Sequence, residues 1–167
     1  MYNQLTKKDI EDMQEEIENR KAVIRPKLLE AVKEARAHGD LSENFEYHAA
    51  KKEKNANESR IRFLERMIKT AEIIDDTSKE DEVGINDTVE ALFEDDGTTD
   101  KFTIVSTMRC DSLKNLVSVE SPIGKALLGH KVGDRVEIEV NKDYSYFLKI
   151  VSISKDDLGE QAELRQF

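Results

Sequence analysis

The stretch "AHGDLSENFEY", residues 37–47, decides the fold, because it is a short break between two long runs of helical periodicity. Before it, Ile10, Met13, Ile17, Ile24, Leu28, Ala31 and Ala35 recur at helical steps. After it, Tyr47, Ala50, Lys54, Asn57, Ile61, Leu64, Ile68 and Ala71 alternate steps of three and four, the seam of a coiled coil. So short a break predicts that the arms fold back on each other as an antiparallel helical hairpin. About thirty residues per arm at 1.5 Å rise make a rod roughly 45 Å long. Gly39 is placed to end the incoming helix. Pro26 lacks a backbone donor and clashes with the preceding turn, so the first arm should kink or restart there. Lys54 and Asn57 put polar groups in the seam, which fixes register at a cost in stability and predicts looser packing toward the tip.

Past residue 76 the period changes to two. An acidic stretch, residues 77–84, reads as a linker. "DTVEALFE", "KFTIVS", "LVSVES", "RVEIEV" and "YFLKIVSI" then read as five strands, separated by turn-forming segments. Between the third and fourth, "SPIGKALLG" predicts a short helix opened by Ser121 and Pro122 and closed by Gly129. The fold class is α+β: a coiled-coil hairpin over residues 1–76 with its tip at 38–46, and an antiparallel sheet domain with one short helix over 85–153. Residues 154–167 are polar and read as a mobile tail.

Composition excludes several functions. Charged residues make up 37% of the 167 and the net charge is −10, which argues against a general nucleic-acid coat while leaving room for a local basic stripe. The single cysteine, Cys110, cannot form an internal disulfide and fits a reducing cytoplasm. No apolar run reaches membrane-spanning length, so no membrane is expected as a partner. His38, His48, His130 and Cys110 lack zinc-type spacing, and no phosphate loop or nucleophile elbow is present. These absences point away from a self-contained enzyme.

The carboxylates of the tip allow two readings. Asp40 and Glu43 stand at the D-x-x-E spacing of a capping box, with Asp40 at the N-cap and Glu43 at the third helical position. Capping does not explain why a rod should be built to hold them so far from the sheet domain. Two carboxylates are a poor Mg²⁺ site alone, since that ion wants six oxygens, but they suffice where another molecule supplies the rest.

"EARAHGDLSENFEYHAAKKEK" and "VSVESPIGKALLGHKVGDRVEIEV" resemble the tip and C-terminal signatures of the bacterial GreA/GreB transcript-cleavage factors, the GreA branch in particular. The resemblance implies an FKBP-like C-terminal fold that docks on the rim coiled coil of bacterial RNA polymerase, with the hairpin entering the secondary channel. It implies that Asp40 and Glu43 help hold a Mg²⁺ shared with the polymerase, none being held stably alone. The polymerase then cuts its own backtracked RNA near the 3′ end. By the same resemblance Arg36, Tyr47 and Lys51 meet RNA or shape the tip, and Glu120, Ser121, Pro122 and Ile123 lie on the docking surface. The implied protein is a cytoplasmic monomer and an accessory factor. A channel-binding paralogue that modulates or inhibits polymerase without promoting cleavage is the alternative, and the Asp40/Glu43 pair argues against it. Phe45 departs from the small residue usual in the family. So does "NKDYSYF", which replaces a Pro- and Gly-containing turn.

Overall fold

The computed structural model describes residues 3–39 and 43–166, and the chain divides into two compact units. One is the hairpin, Ile10–Ala71; the other joins the first nine residues to Glu72–Gln166.

The hairpin is built from α1 (Lys7–Asn19), a π-helical turn (Arg20–Ile24), α2 (Arg25–Ala37) and α3 (Phe45–Lys69). The expected disturbance at Pro26 takes a specific form. The π turn inserts before it, and α2 restarts with the proline in its first turn, where the missing donor costs nothing. The seam residues Met13, Ile17, Ile61 and Leu64 are buried at the base, and Ala35 and Tyr47 near the tip. Between them the predicted polar position Asn57 is buried beside Arg60, at 4% and 5% exposure, so the seam carries a polar layer there.

Glu16 organises that layer. Its carboxylate accepts from Arg60 Nε at 2.8 Å and from Arg20 Nε at 2.7 Å, while Arg20 Nη1 donates to Asn57 Oδ1 at 2.9 Å. Burial alone would raise the Glu16 pKa, but the hydrogen bonds and charges of Arg60 and Arg20 outweigh it and hold the carboxyl below its ordinary value of 4.5. A carboxyl depressed by folding stabilises the hairpin fully above its unfolded pKa, and the contribution is lost as pH falls through the lower folded value. Acid titration of hairpin stability should therefore be shallower in Glu16→Gln than in the parent at and below pH 4.5. Equal slopes would show that the layer contributes no pH dependence.

In the second unit, β1 (Gln4–Leu5) pairs parallel with β2 (Glu72–Ile73). The main sheet holds β3 (Thr88–Phe93), β4 (Thr99–Val105), β5 (Leu116–Ser118), β6 (Arg135–Glu139) and β7 (Ser145–Ser154) in the order β5-β4-β3-β7-β6. All five expected strands are present. Alternation buries one face of β3, β6 and β7, as in β6, where Val136 and Ile138 point inward between exposed Arg135, Glu137 and Glu139. One pair departs from the antiparallel expectation: β5 runs parallel to β4. The chain between them makes two 3-10 turns, at Thr107–Arg109 and Ser112–Lys114, and re-enters the sheet by a looping path where a hairpin would have reversed it. The helix α4 (Pro122–Leu127) closes the core through buried Leu127. It sits so close to the end of β5 that any side chain at Gly124 would collide with the Ser118 carbonyl.

The ends of this unit differ from expectation. The stretch read as a linker packs into the unit, with Val83 buried and Lys155 Nζ donating to Ser78 Oγ, the Glu82 carbonyl and Asp87 at 2.7–2.9 Å. The polar tail is also tied down: the Arg165 N–H donates to the Met108 carbonyl at 2.7 Å, and the Arg109 guanidinium donates to the Ala162 carbonyl. Polar composition marked these segments as solvated, but their backbone groups and one lysine supply the contacts. No helix among the described residues is long and apolar enough to cross a membrane.

Candidate functional site

The hairpin tip is organised by Asn44. Helix α2 ends at Ala37, the His38 N–H donating back to the Ala35 carbonyl, and Gly39 takes a left-handed φ of 143°. Asn44 then caps both helices. Its side-chain oxygen accepts from the Tyr47 N–H at 3.0 Å, capping α3, and its side-chain amide donates to the Ala35 carbonyl of α2 at 2.5 Å. One residue satisfies an orphan donor on one arm and adds a second donor to the Ala35 carbonyl on the other, which pins the turn. Asn44→Ala should destabilise the hairpin by about 0.5–2 kcal/mol and speed hydrogen exchange at the Tyr47 amide. Unchanged exchange there would remove Asn44 from this role.

This corrects the capping-box expectation. The N-cap of α3 is Asn44, so Glu43 precedes the cap and does not occupy the third helical position. Asp40, the other half of the expected box, lies outside the described residues. Glu43 is exposed, and it lines an open cleft of about 420 Å³ with His38, Gly39, Asn44, Phe45 and Glu46. Glu46, in the first turn of α3, pairs with His38 Nδ1 at 3.1 Å. Among the described residues no group of three or more His, Cys, Asp or Glu side chains gathers as a metal cage. The donor chemistry of the cleft nevertheless suits part of a Mg²⁺ shell: carboxylate oxygens in solvent, too few to fill six positions.

Arg36, Tyr47 and Lys51 come together. The Tyr47 ring is 8% exposed in the seam, with the Arg36 guanidinium 5.6 Å and the Lys51 ammonium 6.0 Å from its centroid. A hydrogen bond from Arg36, helped by the charges of Lys51, Arg36 and Lys54, holds the phenol below the ordinary tyrosine range. A cationic cluster therefore sits beside the acidic tip in a chain of net charge −10.

The residues 120–123 have internal duties in the sheet unit. Ser121 caps α4, accepting from the Gly124 N–H at 3.1 Å and donating to the Ser118 carbonyl at 2.6 Å. Glu120 accepts from Thr107 Oγ1 at 3.0 Å, Ile123 packs against the core, and Pro122 is exposed. The sequence reading missed Asn44 as the pivot because the D-x-x-E spacing drew the helix start four residues too early. The available signal was an Asn directly before the α3 run, a strong N-cap residue in its own right.

Residues 3–73 match the family described as transcription elongation factor, N-terminal, and residues 77–155 match that described as transcription elongation factor, GreA/GreB, C-term. The chain is 45% identical over 152 residues to the transcription elongation factor GreA of Thermoanaerobacter pseudethanolicus, covering 90% of this chain and 96% of that protein. It is 44% identical over 154 residues to GreA of Streptococcus pyogenes, covering 90% and 94%. A crystal structure of the GreA factor homolog 1 protein of Thermus thermophilus aligns at 28% identity with a TM-score of 0.42, covering 92% of this chain and 99% of that one. Two contiguous matches in order, and relatives at this identity over nearly their whole length, leave one conclusion: the chain belongs to the GreA/GreB family of transcription elongation factors.

Proposed function

We propose that the chain stimulates bacterial RNA polymerase to cleave its own backtracked RNA, with the hairpin tip reaching the catalytic centre through the secondary channel. The observation that carries this reading is Glu43. Asn44 does the capping on both arms, so the exposed carboxylate beside it has no structural duty among the described residues. Asp40 and Glu43 would lend oxygens to a Mg²⁺ held jointly with the polymerase, and that ion supplies charge stabilisation and an activated water when bound. The chain's own work is to bring the carboxylates in on a pinned turn and to hold cations for RNA phosphate at Arg36 and Lys51. The sheet unit, through exposed Pro122 and the half-buried Glu120, Ser121 and Ile123 beside it, docks on the polymerase rim and tethers the tip, raising its local concentration. The chain acts as a cytoplasmic monomer and is an accessory factor; the catalytic site belongs to its partner. The test adds purified protein to stalled, backtracked complexes and follows RNA shortening. Binding without shortening would sink the cleavage reading.

A further inference from the structure

Phe45 has no part in that scheme, yet it is the first residue of α3 and 85% exposed. Helical geometry turns about 100° per residue, so Ala49 and Lys52 fall within roughly 40° of Phe45, on one outward ridge over the first two turns. Both are exposed, and among the described residues Lys52 makes no ion pair. Tyr47, by contrast, lies on the opposite side, buried in the seam with Arg36 and Lys51. The two aromatics therefore serve different faces.

We infer that the ridge Phe45–Ala49–Lys52 holds a nucleotide of single-stranded RNA, an unpaired base stacking on Phe45 and a backbone phosphate meeting Lys52. This rests on the proposed action at backtracked RNA, since that substrate presents an extruded single strand. The chemistry favours RNA over an apolar protein wall. A flat exposed ring accepts any base face, an exposed ammonium with no ion pair among the described residues matches a phosphate along the same ridge, and the small Ala49 between them leaves room for the sugar. Seven residues at 1.5 Å place the Lys52 Cα about 10 Å along the axis from the Phe45 Cα, a span that one nucleotide and the next phosphate can cover. Here Phe45 is a positioning residue: it orients the strand that the carboxylates act beside.

The experiment uses full-length protein and backtracked complexes of bacterial RNA polymerase, with 2-aminopurine placed at each extruded RNA position in turn. Stacking quenches that base. The parent and Phe45→Trp should quench at one position, while Phe45→Ala should not, and its cleavage rate at saturation should fall on the order of 5- to 100-fold. Lys52→Gln should weaken the quenching titration and lower its salt slope by about one. Quenching by Phe45→Ala equal to the parent, or no quenching by the parent at any position, overturns the ridge. So does an equal loss of affinity by Phe45→Ala for polymerase free of RNA, which would place the ring against protein. Quenching by a parent that promotes no cleavage would sink the proposed function and leave the ridge standing.

Discussion

Arg109→Met should lower the stability of the sheet unit by about 3–5 kcal/mol, and Asp9→Ala should do much the same. The two side chains are 3% and 2% exposed, and the Arg109 guanidinium donates to Asp9 across a hundred residues of sequence. Asp9 is further committed to a capping box with Thr6. The Thr6 N–H donates to Asp9 Oδ2 at 2.9 Å, and the Asp9 N–H donates to Thr6 Oγ1 at 3.1 Å. Arg109 also binds the Ala162 carbonyl. Removing either charge leaves the other buried without its counter-ion, which is the costly case; the intact pair itself contributes little net stability. The double variant Asp9→Leu, Arg109→Met removes both charges and should recover most of the loss, short of the about 1 kcal/mol due to the cap. Hydrogen exchange at β4 and β7 amides under mild urea is the proper readout, because two units make a single unfolding midpoint ill-defined. Protection unchanged in Arg109→Met would mean that the pair is solvated in solution. A fragment starting at residue 77 would lack both Asp9 and β1, so it should fold poorly; a sheet-unit fragment needs residues 1–9 supplied.

That pair also shows where sequence reading stops. Periodicity carries burial of apolar side chains, so the helical arms and the five strands were legible from steps of three, four and two, and α4 from the Ser-Pro that opens it and the glycine that follows it. It carries nothing about an Asp and an Arg meeting a hundred residues apart, because each alone looks like a solvated charge. The parallel β4–β5 pair escaped for a related reason: strand identity is local, whereas direction depends on the path of the connecting turns. At the tip, residue types were legible and their duties were not. D-x-x-E and Asn-before-helix are both capping signals, and only the helix start at Phe45 decides between them. Polar composition misled at residues 77–84 and in the tail, since backbone groups pack regardless of how hydrophilic their side chains are.

Glu43→Ala and Asp40→Ala should each cut stimulated RNA cleavage on the order of a hundredfold or more, the scale of losing one electrostatic group aimed at a transition state. Affinity for polymerase should hardly change if, as proposed, docking by the sheet unit and donation of tip oxygens use different parts of the chain. A group that acts only in the transition state appears in rate and not in binding. Glu43 makes the sharper test. It precedes the cap, so Glu43→Ala should leave hairpin stability within about 0.5 kcal/mol of the parent while cleavage collapses. A carboxylate that merely favoured the helix start would give the reverse, a small stability loss with cleavage recovered at low temperature. Glu43→Gln separates charge from shape: it keeps an oxygen and the side-chain volume but loses the negative charge that a shared Mg²⁺ requires, so it should fail nearly as badly as alanine. Raising Mg²⁺ should partly rescue both variants, since a weakened site fills by mass action when the ion is abundant. Parental cleavage by Glu43→Ala at limiting Mg²⁺ would exclude that carboxylate from the metal's shell.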